Sequence, residues 1–322
     1  MITNFQRRKL LAGAIASLAT ALPKFAAAGE NLTVRIGYQK SSTLITLLKA
    51  NGVLEKRLEP LGAKISWHEF TSGLPLLEAL NVGSIDFSAD VADTVPVFAL
   101  AAGAKLAYVA QEAPSPSAQG IVVRADSPIR SVADLKGKRV AVAKAAGAHY
   151  LLIALLDKSG LKFKDIDPAY LSPADGRAAF ERGSVDAWVV WDPFLAAVQR
   201  QSAVRLLADG TGGVADYQRY YLTSLAFLSE RGNVLSIFFD ELRKTGRWVK
   251  QNPKEAAALL APVWGLDVGT VEAANARRSY EVKTVSNEAL VEQQRIADVF
   301  YSEGLLPRKV SVASVSLWKP GN

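Results

Sequence analysis

Segments with a period-two apolar pattern alternate with segments of period near 3.6 through the first two thirds of the chain, and this constrains the fold more than any other feature. Residues 32–37, 63–70, 85–89 and 105–110 read as strands. Between them, 43–49, 76–80 and 95–102 read as helices, stopped at Asn51-Gly52, at Asn81 with Gly83, and at Gly103. A turn-rich connector follows, Glu112-Ala-Pro-Ser-Pro-Ser-Ala-Gln-Gly120. The rhythm then resumes. Strands are expected at 120–124, 138–143, 169–171 and 185–190, and helices at 149–158, 174–182 and 194–201. Ser131-Val-Ala-Asp134 reads as a capping box for a short helix. The Gly-rich stretch Asp209-Gly-Thr-Gly-Gly213 is a second connector. A strand over 220–228 and an almost wholly helical stretch over 231–303 come after it.

Repeated strand–helix units call for an α/β fold with mainly parallel sheets flanked by helices. Two such blocks, joined by a connector, call for two lobes with a hinge between them. The chain has 322 residues, beyond the ~250–300 at which single cores divide. The expected layout is a first lobe over 29–115, a second over 116–225, and a return to the first over 226–322.

Residues 1–28 read as an address. Arg7, Arg8 and Lys9 precede a weakly apolar run from Leu10 to Leu22, then Pro23 and Ala26-Ala-Ala-Gly29. That is the order of a secretory signal peptide. The run is short of the ~20 apolar residues that span a bilayer as a helix. Arg7-Arg-Lys-Leu-Leu11 also resembles a twin-arginine export signal, with Gln6 where Ser or Thr is usual. An exported, periplasmic protein is the expectation.

The formal charge of +7 invites a nucleic-acid reading. Cleavage after Ala28 removes Arg7, Arg8, Lys9, Lys24 and no acid, and leaves 34 cations against 31 acids, a net of +3. Spread along the chain, that is no nucleic-acid footprint. No nucleic-acid partner is expected, and a monomer is. The chain has no cysteine, which excludes disulfides, thiolate metal sites, iron–sulfur clusters and cysteine nucleophiles. Its two histidines, His68 and His149, are too few for a His-rich metal site. No Walker loop, G-x-G-x-x-G after the first strand, H-E-x-x-H or G-x-S-x-G is present, so no motif supports an enzyme. No metal or cofactor is expected.

Four strand-to-helix junctions remain, each at the end of a strand where open sheets gather ligands. In Gly37-Tyr-Gln-Lys-Ser-Ser-Thr43, Gln39, the hydroxyls and a helix start suit an anion or polar ligand, while Ser41, Ser42 and Thr43 serve equally as caps. In Lys144-Ala-Ala-Gly-Ala-His149 small residues admit a ligand close to the backbone, and His149 either meets it or packs locally. In Trp188-Val-Val-Trp-Asp-Pro-Phe194 one tryptophan belongs to the core and the other to the strand's end toward a cleft, while Asp192 with Pro193 opens a helix as its cap, with ligand contact as the other reading. In Ala92-Asp-Thr94, Asp93 reads as a cap for the next helix or as a partner for a cationic ligand group.

Those segments, with others, resemble the aliphatic sulfonate-binding proteins of ABC importers, within a wider group that binds taurine, nitrate and thiamine-precursor pyrimidines. The resemblance covers nearly the whole chain after the signal. It rests on Gly37-Tyr-Gln-Lys40, Trp67-His-Glu-Phe70, Leu76-Leu-Glu-Ala-Leu80 with Gly83-Ser-Ile-Asp86, Ser131-Val-Ala-Asp-Leu-Lys-Gly-Lys138, Gly183-Ser-Val-Asp-Ala-Trp188, Trp191-Asp-Pro193, Arg277-Arg-Ser-Tyr280 and Glu292-Gln-Gln-Arg-Ile-Ala-Asp298. It implies a two-lobed periplasmic binding protein that closes on a small organosulfonate and delivers it to an inner-membrane permease. By position it implies a ligand cleft formed by Gln39, Lys40, Asp93, Thr94, Gly147, Ala148, His149, Trp191 and Asp192. Taurine, a sulfate ester, nitrate or a pyrimidine precursor is the alternative ligand. Two departures bear on ligand identity: Ala92-Asp-Thr-Val-Pro96 stands for the usual Gly-Asp-x-Pro-Pro, and Lys144-Ala145-Ala146 for Lys-Gly-Ser. Enzymes on related folds, a sulfinate desulfinase and a pyrimidine synthase, use cysteine motifs that this chain lacks.

Overall fold

The computed structural model describes residues 32–321; the signal expected over 1–28 lies outside the described residues. The first block runs β1 (Leu32–Gln39), α1 (Thr43–Asn51), α2 (Val53–Leu58), β2 (Ala63–Phe70), α3 (Gly73–Asn81), β3 (Phe87–Ala92), α4 (Thr94–Ala101) and β4 (Leu106–Glu112). The chain then crosses to β5 (Gln119–Arg124), β6 (Arg139–Val142), α5 (Gly147–Lys158), β7 (Asp167–Tyr170), α6 (Pro173–Glu181), β8 (Ala187–Trp191), α7 (Phe194–Gln201) and β9 (Val204–Asp209). It crosses back to β10 (Arg219–Ser224) and ends in α8 (Leu225–Glu230), α9 (Gly232–Gln251), α10 (Pro253–Trp264), α11 (Val268–Arg277), β11 (Val282–Lys283), α12 (Asn287–Ser302) and β12 (Ser316–Leu317).

Two mixed sheets result. One has the order β11-β4-β10-β3-β1-β2 with β12 also on β4; the other is β7-β6-β8-β5-β9. The parallel pairing expected from the strand–helix units holds for β1 with β2 and β3, and for β6 with β7 and β8. It does not extend to β10, antiparallel to β3 and β4, or to β5, antiparallel to β8 and β9. These are the strands that enter each sheet from the other. A parallel neighbour needs a long crossover, usually helical, and neither crossing carries an α-helix.

Local chemistry explains most boundaries. Gly52, at φ 62, ends α1 in the left-handed conformation that glycine adopts without cost. All six residues of β3 are buried, as befits a strand covered on both faces. The capping box at Ser131 forms, with Asp134 taking the Ser131 N–H at 2.8 Å, although the turn it opens is a single 3-10 turn. The strand expected over 220–228 stops at Ser224. There the hydroxyl accepts the Phe227 N–H at 3.1 Å and starts α8, so a capping signal overrides the apolar run behind it.

The core has two parts. Leu44, Phe87, Tyr221, Phe238 and Leu260 fill one face of the larger sheet, beneath α1, α9 and α10. The second part is continuous from the other face of that sheet, through Leu76, Tyr108 and Phe300, to Leu151, Phe180 and Trp188 around the smaller sheet. The helical tail returns to the larger sheet, except that α11 lies between α10 and α7, a helix of the smaller sheet. Among the described residues no single helix is long and apolar enough to cross a membrane.

Candidate functional site

Parallel pairing aligns strand ends, and here the carboxyl ends of β1, β2 and β3 face those of β6 and β8. Between them lies a cleft. Gln39 comes from the end of β1, Ser72, Gly73 and Leu74 from the turn after β2, and Ala92 and Val95 from β3 and α4. Lys144 to Gly147 come from the loop after β6, Trp191 from the end of β8, and Tyr217 and Arg219 from the second crossing and β10. The cleft is narrow, with an empty space of about 330 Å³ that includes its open mouth.

Two helices begin at this cleft, α3 at Gly73 and α5 at Gly147, and neither has a side-chain cap. First-turn N–H groups have no acceptor within their own helix, and the helix dipole adds positive potential there. Two cations line the cleft beside them, Lys144 and the buried Arg219. Arg219 is 2% exposed, its Nε lies 2.5 Å from Asp90 Oδ2, and it donates to Tyr217 Oη at 2.8 Å and to the Asp90 carbonyl at 3.0 Å. Burial disfavours its charge, but Asp90, Tyr217 and Glu112 together offset that and hold the guanidinium above its ordinary value. Gln39 Nε2 donates to the same Asp90 carbonyl at 3.0 Å. Trp191 and Leu74 with Val95 supply apolar walls. No lining side chain among the described residues is a carboxylate.

Gly147 sits where the two halves touch. A Cβ there would lie 2.5 Å from the Tyr217 ring and 3.2 Å from Ala92 Cβ. Thr94 Oγ1 donates to the Ala145 carbonyl at 2.6 Å across the same gap, and Ala145 takes a left-handed φ of 63.

Of the residues expected at the cleft, Gln39, Gly147 and Trp191 line it. The other six are placed around it. Lys40 is exposed, and Ala148 is buried behind Gly147. Thr94 bridges the two halves. Asp93 does not cap α4 with its side chain; it accepts the Gln218 N–H at 3.0 Å, because β10 lies beside the end of β3. Burial pushes its carboxyl up to about 7. His149 turns away into a nest of Phe163, Tyr170 and Phe300, while its Nδ1 accepts the Ala145 N–H at 3.3 Å. Burial, with Lys144 near it, pulls the imidazole down to about 3 and keeps it neutral. Asp192 accepts the Ala196 N–H at 2.9 Å in the first turn of α7, as a cap does, and also meets Arg277 at 3.1 Å.

Sequence reasoning did not find Ser72, Gly73, Tyr217 or Arg219. Ser72 two residues after a strand, with Pro75 behind it, is a legible helix start. Arg219 carries no local signal, because its place depends on β10 inserting between β3 and β4.

The strand order and the cleft between two α/β halves define the architecture of periplasmic binding proteins. The chain belongs to the NMT1/THI5-like family, whose model matches residues 70–256. A protein of Escherichia coli (strain K12) named as an aliphatic sulfonates-binding protein is 40% identical over 316 residues, 97% of each chain. The alkanesulfonate-binding protein SsuA of Xanthomonas axonopodis pv. citri, solved bound to MOPS, superposes with a TM-score of 0.85 at 42% identity, over 90% of this chain and 99% of that one. The periplasmic aliphatic sulphonate binding protein SsuA of E. coli superposes with a TM-score of 0.81 at 41% identity, over 90% and 93%. The desulfurization enzyme DszB shares the fold at 16% identity, with a TM-score of 0.63.

Proposed function

We propose that this chain is the substrate-binding component of an ABC importer, which captures an organosulfonate, an aliphatic sulfonate first, and delivers it to a permease in the inner membrane. Its lobes are residues 29–115 with 226–322, and residues 116–225. Residues 1–28 direct it to the periplasm, by the twin-arginine or the general route, and it works there as a monomer. It binds and does not catalyse.

One observation carries this reading: Arg219 and the uncapped starts of α3 and α5 face a single cleft whose lining includes no carboxylate. A sulfonate stays ionised at physiological pH, so it needs donors and no proton acceptor. An alkyl tail lies against Trp191, as apolar pocket walls receive tails. Asp93, engaged with the Gln218 N–H, offers nothing to the ammonium group of taurine. The sulfonate-binding relatives reported above agree with this ligand class.

The test is a melting-temperature screen of the chain from Gly29 onward. Its panel holds ethane-, butane- and octanesulfonate, taurine, an arylsulfonate, a sulfate ester, nitrate and a thiamine pyrimidine. A ligand of the native state raises the melting temperature with concentration. Shifts with alkanesulfonates support the reading; a shift with nitrate or the pyrimidine alone overturns the ligand and leaves the fold.

A further inference from the structure

Four consecutive residues that begin at the last residue of α11, Arg277-Arg278-Ser279-Tyr280, grip four different parts of the molecule. Arg277 reaches the smaller sheet. Its Nη1 lies 3.1 and 3.2 Å from the two Asp192 carboxylate oxygens, and its Nη2 donates to Gln199 Oε1 of α7 at 2.6 Å. Arg278 reaches the larger sheet, with Nη2 at 2.5 Å from Glu112 Oε2 and 3.3 Å from Asp90 Oδ2. Ser279 holds the first crossing: its N–H donates to Ser115 Oγ at 2.9 Å and its hydroxyl to the Ala113 carbonyl at 2.7 Å. Tyr280 keeps a left-handed φ of 52, costly for a bulky residue, and its hydroxyl donates to Asn275 Oδ1 at 2.7 Å and meets Thr43 Oγ1 at 2.9 Å.

The other end of α11 is also tied to α7. Asp267 lies 3.7 Å from Arg200, and a Cβ on Gly269 would come within 2.9 Å of the Arg200 guanidinium. None of the four residues lines the cleft. Their partners adjoin it: Asp192 follows Trp191, and Asp90 holds Arg219.

We infer that residues 277–280 form the clasp that holds the two lobes closed, and that Arg277 is a positioning residue for ligand capture, acting through Asp192 and Trp191. The inference rests on the closing-lobe reading above. Opening the lobes separates Arg277, carried with α10 and the larger sheet, from Asp192 at the end of β8. Asp192 is then left with the Ala196 N–H alone. A bond made more strongly in the closed form than in the open one shifts the equilibrium toward closure by that difference. A guanidinium that forks between a carboxylate and an amide also fixes an angle, which a lysine ammonium does not.

The experiment compares the wild-type chain with Arg277→Gln, Arg277→Lys and Gln199→Ala. The probe is butanesulfonate, followed by stopped-flow tryptophan fluorescence, together with small-angle scattering of each protein without probe. Arg277→Gln is expected to raise the dissociation rate about tenfold while the association rate stays within about twofold. Its radius of gyration rises, and Arg277→Lys falls between it and wild type. If Arg277→Gln does not fold, Gln199→Ala decides, with an expected rise of about threefold in dissociation. A folded variant with wild-type dissociation rate and wild-type radius overturns the clasp. If the wild type binds no sulfonate at all, the ligand reading fails, and the scattering comparison still decides the clasp.

Discussion

Thr94 Oγ1 donates to the Ala145 carbonyl oxygen at 2.6 Å, joining the first residue of α4 on the larger sheet to the loop that feeds α5 on the smaller one. The same loop presents Gly147 to the cleft, and His149 holds its Ala145 N–H from behind at 3.3 Å. The backbone of this loop is thus fixed from both sides. Thr94→Val keeps the shape and removes the donor, leaving a buried carbonyl without it. Butanesulfonate affinity should fall about 3- to 10-fold, from a loss of ~1 kcal/mol, in a protein that still folds. Calorimetric titration checks this; equal affinities would show that the bond does not contribute to closure.

Arg219 is both a buried cation of the cleft, beside Lys144, and the partner of Asp90. Arg219→Met should lower stability by about 3–5 kcal/mol, because it takes the nearer cation from a buried carboxylate and leaves Asp90 with Arg278 alone. Arg219→Met with Asp90→Leu should recover much of that stability and none of the binding. Denaturant unfolding and titration of the two proteins separate the roles. Binding restored by the double variant would remove Arg219 from the site.

Gly147 has no space for a side chain beside Tyr217 and Ala92. Gly147→Ala retains every N–H donor yet forces the two halves apart, so binding should weaken by about tenfold or more for a cost of ~1–3 kcal/mol from overpacking in the closed state. Unchanged affinity would place the lobe contact elsewhere.

Buried carboxyls give the stability a pH dependence. Burial pushes Asp93 up to about 7, with the Gln218 N–H opposing, and it pushes Asp192 up to about 7 against Arg277 and the Ala196 N–H. In the unfolded chain an aspartate ionises at ~4. The folded state thus holds more protons between these values, so stability falls as pH rises through that window and levels off above it. His149 acts oppositely. Its folded value is about 3 against ~6.5 unfolded, so its contribution is full above the unfolded value and is lost as pH falls toward the folded one. The interval between pH ~6.5 and ~7.5 therefore reports the two carboxyls with little from the histidine. The melting temperature should fall across it, and Asp93→Asn, which still accepts from Gln218, should flatten the fall. Parallel curves for the two proteins would contradict the assignment to Asp93.

Where structure follows local pattern, the sequence was legible. β2 spans the residues that its alternation marked, 63–70, and α4, α5 and α7 begin within two residues of expectation. The strand β9 was not legible, since Val204–Asp209 has no fully buried residue, exposes Leu206 and lacks clean alternation. The position of β10 was not legible either, because it is set by partners more than a hundred residues away, Ala92 and Glu112. The site divides in the same way. Gln39, Gly147 and Trp191 sit at strand–helix junctions that any open α/β sheet turns toward its cleft. Arg219 enters the cleft, and Asp93 and His149 face away from it, because of β10 and α12, which local spacing does not encode.

The most direct measurement is a crystal structure with 2-bromoethanesulfonate, whose bromine and sulfur mark the two ends of the ligand by anomalous scattering. The account predicts sulfonate oxygens within ~3 Å of the Gly147 N–H and the Arg219 guanidinium, with the bromine against Trp191. A sulfonate seated outside this cleft, or one whose head group lies against Leu74 and Val95, would contradict it.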